Sequence, residues 1–461
     1  MDLPTFAGAG HHPEVRTLRG MIRNRIRRRG AAAAVASVAS VASLASLAFL
    51  TPAVADTPAV AAGAAHAPVS ASAPATREDG LSLPRPSGSH SIGRDTLHLV
   101  DASRRDMWVP SSGARELMVS VFYPARRGGG DGGFVGDSAP YIGVEEAELL
   151  LKGQKLDQVI AGEQVAGVDT NARPAARPAK GRHPLVVLSP GFTLHRATLT
   201  GLAEELASRG YVVAVIDHAY ESFGTEFPGK GKARGEGGAL HMRTCVACAK
   251  VEDAPHGDAG EKRMMAKAAR NRAADISFVV DELMGGRPRT DDGRHPDYRD
   301  LIDPRKIGAA GHSLGGNAAA TAMGADHRIR AAANLDGTFF APVPATATDR
   351  PVLMLGTRSG HTPTAEDASW PREWQRLHGW KRWLTVADSG HLTFTDMPVL
   401  GGQLGMTDPS APLSGKRSGE ITADYVTAFF DQHLRSRNTA LFDGPSKENP
   451  EVAFHSPSPS T

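Results

Sequence analysis

The sequence predicts an α/β fold built on a mostly parallel sheet with helices on both faces. Three observations carry this. Pro184-Leu-Val-Val-Leu-Ser189 and Tyr211-Val-Val-Ala-Val-Ile216 are continuous apolar runs, as strands buried on both faces require. Segments of helical spacing and helical length separate such runs. Gly311-His-Ser-Leu-Gly315 falls where one of these strands gives way to an alanine-rich helix.

Taken in order, Glu116–Tyr123 alternates like a strand, and Pro184–Ser189 is the first fully buried one. Ala197–Arg209 has helical spacing and stops at Gly210, a good C-terminal stop. Tyr211–Ile216 is the next buried strand, and Lys262–Met284 is a long amphipathic helix ending at Gly285-Gly286. Strand Lys306–Ala310, a helix from Leu314, and strands Ile329–Leu335, Pro351–Leu355 and Trp383–Val386 follow. Helix Glu420–Arg435 closes the series. In such a sheet, ligand chemistry belongs at the C-terminal ends of the strands.

The flanks read differently. Arg23–Arg29 is basic, Ala31–Leu50 is uncharged, and Pro52-Ala-Val-Ala55 has the form of a cleavage site. Residues 1–55 are therefore expected to be a secretory signal peptide cleaved near Ala55, giving a secreted protein. A retained anchor is the weaker alternative, because Ala and Ser insert poorly. Residues 56–86 read as a flexible linker, 87–440 as the catalytic domain, and 441–461 as a disordered Pro/Ser-rich tail. The charged, Gly-rich segment 229–260 reads as a loop insertion. It holds the two cysteines of the chain, Cys245 and Cys248, a candidate disulfide in an oxidising compartment. A net charge of +2 gives no case for a nucleic-acid partner.

Gly311-His-Ser-Leu-Gly315 is G-x-S-x-G between a strand and a helix. That turn is tight enough to demand glycines beside Ser313, and it sets the serine at a helix N-terminus. A serine hydroxyl is a poor nucleophile at neutral pH, so a base and an orienting acid must be found elsewhere. Of the downstream histidines, His391 in Asp388-Ser-Gly-His-Leu-Thr-Phe-Thr-Asp396 follows a strand end and is the favoured base. His361 also follows a strand end and is its competitor. His327, His378 and His433 lie in helical stretches, and His455 in the tail.

In many α/β-hydrolases the acid follows the strand before the histidine strand. That position here reads Leu355-Gly-Thr-Arg-Ser-Gly360 and has no carboxylate. One strand earlier stands Ala333-Asn-Leu-Asp-Gly-Thr338, which makes Asp336 the acid, with Asp388 and Asp396 as weaker alternatives. An oxyanion hole would take the backbone N–H of Leu314 and one from Ser189-Pro-Gly-Phe-Thr193. Pro190 has no N–H, and Gly191 lets the chain turn so that the Phe192 N–H faces the acyl oxygen.

These residues resemble the secreted platelet-activating-factor acetylhydrolases of the α/β-hydrolase class and their bacterial relatives. The likeness runs over most of 86–437 and includes Pro86–Gly93, Val121–Pro124, Leu188–Phe192, Glu205–His218 and Arg272–Val280. It implies a triad of Ser313 from GHSLGG, Asp336 from NLDG and His391 from SGHLTFTD, with no metal or other cofactor. It also counts against cutinase-like polyester hydrolases, which place the acid later. Pro190 stands where the family often has His, and 229–260 looks like an addition. The activity implied is a serine carboxylic-ester hydrolase, a lipase or esterase acting through an acyl-enzyme on short or medium acyl esters, phospholipids included. An acyltransferase using the same triad is the alternative. The segment Gly143–Gly162 is a candidate for transient lipid-surface contact, although its acidic face disfavours anionic membranes.

Overall fold

The computed structural model describes residues 80–126, 138–229, 240–285 and 296–457. The segment expected to be a signal peptide, most of the expected linker and part of the expected insertion lie outside the described residues. The strands are β1 (Ser91–Arg105), β2 (Ala114–Ala125), β3 (Ala172–Pro174), β4 (His183–Ser189), β5 (Val212–His218), β6 (Thr225–Pro228), β7 (Leu240–Arg243), β8 (Ile302–His312), β9 (Ile329–Leu335), β10 (Val352–Thr357), β11 (Lys381–Val386) and β12 (Val452–His455). Ten of them form one sheet in the order β12-β11-β10-β9-β8-β4-β5-β2-β1-β3. The stretch from β11 to β5 is parallel throughout, and β12, β2 and β1 run antiparallel to their inner neighbours. This is an α/β-hydrolase architecture, as expected from the buried apolar runs.

The period of two in the central strands sorts their side chains onto two cores. Leu185, Val187, Val212, Ala214 and Ile216 face one cluster with Ile276, Val279, Val280 and Leu283 of the Asp258–Met284 helix. Val186, Leu188, Val213 and Val215 face the other, with Leu202 and Leu206 of the Thr200–Ser208 helix and Tyr425, Phe429 and Phe430 of the Gly415–Arg435 helix. Full burial of each Val, Leu, Ile or Phe among them contributes about 1.5–3 kcal/mol, which holds the strands in register.

Three sequence boundaries are corrected. The linker ends earlier than 86: Leu81 and Leu83 are buried, and their backbones exchange hydrogen bonds with Asp169. The tail is not disordered from 441. Val452–His455 adds an antiparallel edge strand to β11, with Val452 buried. Apolar residues at 452 and 454 outweigh the Pro/Ser content around them. The described part of 229–260 is not loop throughout. Leu240–Arg243 pairs with β6, Val246–Glu252 is helical, and the long helix starts at Asp258.

Candidate active site

Ser313 lies between β8 and the Leu314–Ala325 helix with φ 55° and ψ −125°, a conformation that strains any L-residue. Close packing imposes it. A side chain at Gly315 would collide with the carbonyls of Ser189 and Pro190, and one at Gly311 with the Gly315 backbone. The Ser313 N–H donates to Leu335 O at 2.8 Å, and Gly316 N–H donates to Ser313 O at 2.9 Å. The serine is 2% exposed.

Asp336 follows β9, also at positive φ (56°). The NLDG sequence builds its turn: Asn334 accepts from Gly337 N–H at 3.0 Å and donates to Gly337 O at 2.7 Å. A side chain at Gly337 would strike Ser313 O, so the two turns lie against each other. Asp336 Oδ2 lies 2.6 Å from His391 Nδ1. Oδ1 lies 2.7 Å from His361 Nδ1 and accepts from Thr357 N–H at 2.6 Å. Burial alone would raise the Asp336 pKa, but His361 and His391 outweigh it and hold the carboxyl well below the usual carboxylate range.

The structure therefore brings both candidate histidines to one carboxylate, and exposure separates them. His391 opens a short 3-10 turn after β11, and its side chain is 19% exposed. The His361 side chain is 1% exposed and stacks on Trp370 at 4.2 Å, with Nε2 3.3 Å from Asp367 Oδ2. Burial would lower its pKa, but Asp336 and Asp367 push it up to about 9. Asp388 is exposed in the turn after β11. The Asp396 carboxyl group accepts from Gly201 N–H at 3.1 Å and from Tyr141 OH at 3.2 Å. His327, His378, His433 and His455 are elsewhere, the last in β12 with its Nε2 2.7 Å from Thr385 Oγ1 of β11.

Phe192 and Leu314 are both buried in one cluster with Trp108 and Ala341. Leu314 is the first helical residue, where the N–H lacks an intrahelical acceptor by position. Cys245 and Cys248 are disulfide-bonded. The helix they begin places Ala247 and Val251 in the same cluster, so the insertion packs against Phe192 and Leu314.

Sequence reasoning missed His312. Its Nε2 lies 2.6 Å from His391 O, its ring is 4.6 Å from that of His391, and its Nδ1 backs Gly191. It thus ties the histidine loop to the loop after β4. The only hint in the sequence is its position as the residue before Ser313.

The family model described as platelet-activating factor acetylhydrolase, isoform II, matches residues 75–435. A protein of Arthroderma benhamiae named "Probable 1-alkyl-2-acetylglycerophosphocholine esterase" is 26% identical over 400 residues, covering 81% of this chain and 93% of that one. The platelet-activating factor acetylhydrolase of Gallus gallus is 22% identical over 390 residues, 77% of this chain and 85% of its own. Among solved structures, a ferulic acid esterase from Streptomyces cinnamoneus superposes with a TM-score of 0.66 at 40% identity, covering 82% of this chain and all of that one. A G-x-S-x-G turn on a mostly parallel sheet and these similarities agree: the chain belongs to the platelet-activating factor acetylhydrolase, isoform II, family and is a carboxylic-ester hydrolase.

Proposed function

We propose that this protein is a secreted serine esterase that works through an acyl-enzyme, with Ser313, His391 and Asp336 as its triad. The observation that carries the reading is the 2.6 Å contact of His391 Nδ1 with Asp336, in a loop tied by His312 to the strained serine turn. Donation of Nδ1–H to the carboxylate leaves Nε2 with its lone pair, the tautomer a general base needs. Ser313 Oγ attacks the ester carbonyl as His391 takes its proton, and His391 then protonates the departing alcohol. The N–H groups of Phe192 and Leu314 bind the tetrahedral oxyanion. Water, activated by the same imidazole, frees the acid and restores Ser313.

The buried His361 cannot exchange protons with a substrate, which supports His391 as the base. The layout of residues 23–55 and the Cys245–Cys248 disulfide support export.

The substrate class follows from the relatives. Those of the acetylhydrolase type favour a short acyl ester on a phospholipid. Hydroxycinnamoyl esters are the second reading, favoured by the 40% identity to a ferulic acid esterase over that chain's whole length. Wild type and Ser313→Ala should be assayed on p-nitrophenyl esters of increasing chain length, methyl ferulate, and a phosphatidylcholine with an sn-2 acetyl group. Wild-type hydrolysis of at least one class, lost in Ser313→Ala, is expected. Undiminished turnover by Ser313→Ala would remove the mechanism. Faster product release with an added alcohol acceptor, the acceptor being acylated, would turn the reading to an acyltransferase.

A further inference from the structure

Ser189, His218 and Asp275 form a second Ser–His–Asp line beneath the first. Ser189 Oγ lies 2.9 Å from His218 Nε2, and His218 Nδ1 lies 2.7 Å from Asp275 Oδ2. All three are buried. Burial and the Arg272 charge lower the His218 pKa, so the ring is neutral at pH 7. Asp275 is held ionised: burial would raise its pKa, but Arg115 and His218 bring it far below the usual range. His218 must then donate from Nδ1, and Ser189 O–H must donate to Nε2. The hydroxyl is fixed in one direction and has no route to a substrate.

Its neighbours show what it holds. Arg115 Nη2 donates to Asp275 Oδ2 at 2.7 Å and to Glu221 Oε1 at 3.0 Å. Arg272 Nε donates to Glu221 Oε2 at 2.7 Å, and its Nη1 donates to the carbonyl of Pro190 at 2.6 Å. Thr193 N–H donates to Glu221 O at 3.0 Å. The segment Ser189–Thr193 is thus tied at its first residue, its second and its last to one ionic cluster. Between the ties lies the Phe192 amide. The carbonyls of Ser189 and Pro190 also lie against Gly315 of the nucleophile turn.

We infer that the Ser189–His218–Asp275 line and the Arg272–Glu221 pair are positioning residues that set the Phe192 N–H relative to Ser313. The inference rests on the proposed oxyanion role of Phe192. The cluster acts on the transition state and not on the ester in its ground state, because the amide matters only once the oxyanion forms.

The test uses Ser189→Ala, which deletes one hydroxyl, and Arg272→Lys, which keeps the charge but shortens the reach to Pro190 O. Each variant is checked by a cooperative thermal melt. Then kcat and KM are measured on p-nitrophenyl acetate, together with the affinity for an alkyl trifluoromethyl ketone. In that adduct Ser313 Oγ bonds the ketone carbon, its proton passes to His391, and the carbonyl oxygen becomes an oxyanion. A displacement of the amide by a fraction of an ångström predicts a fall in kcat of about 10-fold or more, with KM within about twofold. Ketone affinity should fall by the same factor. Should Ser189→Ala not fold, Arg272→Lys is read by the same criteria. Wild-type kcat and ketone affinity in a folded variant, or a loss confined to KM, overturns the inference. A fluorophosphonate label found on Ser189 by peptide mapping overturns it too, because the hydroxyl would then be reachable. Wild-type enzyme that leaves Ser313 unlabelled fails the proposed mechanism instead, and the two failures are thereby told apart.

Discussion

Asp336 and His361 face each other at 2.7 Å in the protein interior, while the other carboxylate oxygen of Asp336 takes His391 at 2.6 Å. One acid therefore serves two imidazoles. The inner one, pushed up to about 9 by Asp336 and Asp367 against the effect of burial, is a cation at neutral pH. It partly neutralises the acid that faces the outer imidazole.

His361→Gln removes that cation. The acidic limb of kcat/KM should move to higher pH, since Asp336 then stabilises a protonated His391 more strongly. Stability should change as well. A folded pKa above the unfolded value makes a contribution that is complete below about pH 6.5 and is lost as pH rises through about 9. Wild type should lose more melting temperature over that window than the variant, which keeps the contribution of Asp396. Breaking the buried pair costs about 3–5 kcal/mol below it. An unmoved acidic limb in the folded variant would refute the electrostatic part of this account.

Asp336→Asn keeps the shape of the site but offers an amide N–H to one imidazole, so the tautomer of His391 is no longer fixed. A fall in kcat on the order of 10⁴-fold is expected, with KM little changed. Steady-state kinetics on p-nitrophenyl acetate checks it. Asp388→Asn, in an exposed turn, should leave kcat within about twofold.

Asp396 is the opposite kind of acid. Burial pushes its pKa up to about 8, although hydrogen bonds from Gly201 and Tyr141 pull the other way. Its folded pKa lies above its unfolded one, so the native state binds the extra proton. Its contribution is greatest below about pH 4 and is lost as pH rises toward about 8. Asp396→Asn cannot ionise and retains an oxygen to accept from Gly201 N–H. Thermal melts across that range should fall less steeply with pH in the variant than in wild type.

The Cys245–Cys248 disulfide closes a very short loop, for which chain entropy gives roughly 2 kcal/mol. Its helix packs against Phe192 and Leu314, so the loss should reach the site. Cys245→Ser with Cys248→Ser should lower the melting temperature by a few degrees and reduce kcat measurably. Dithiothreitol should do the same to wild type and nothing further to the double variant.

How far the sequence could be read depended on the range of each interaction. Strand periodicity and the G-x-S-x-G turn are local, so β4, β5, β8 and the strand-to-helix turn at Ser313 could be read from the sequence. Asp336 stood out as a candidate because 355–360 has no carboxylate and a parallel sheet limits where an acid can stand; the fold brings it to His391 and His361. His361 was legible only as a rival, since nothing in one dimension says that a carboxylate has two free oxygens to share. The edge strand Val452–His455 was hidden because its composition is that of a tail, and its stability comes from pairing with β11.

The sequence by itself determined the sheet, the strand-to-helix turn that carries Ser313 and the short roll of candidate partners for it. Each of those depends on side-chain periodicity or on backbone freedom within a few residues. Tertiary structure alone decided which imidazole meets solvent and which is sealed against Trp370. It alone joined Ser189, His218 and Asp275 under the loop that carries Phe192. Those contacts link side chains up to 57 positions apart, and hydrogen bonds of such range exist only after the cores have brought the strands together.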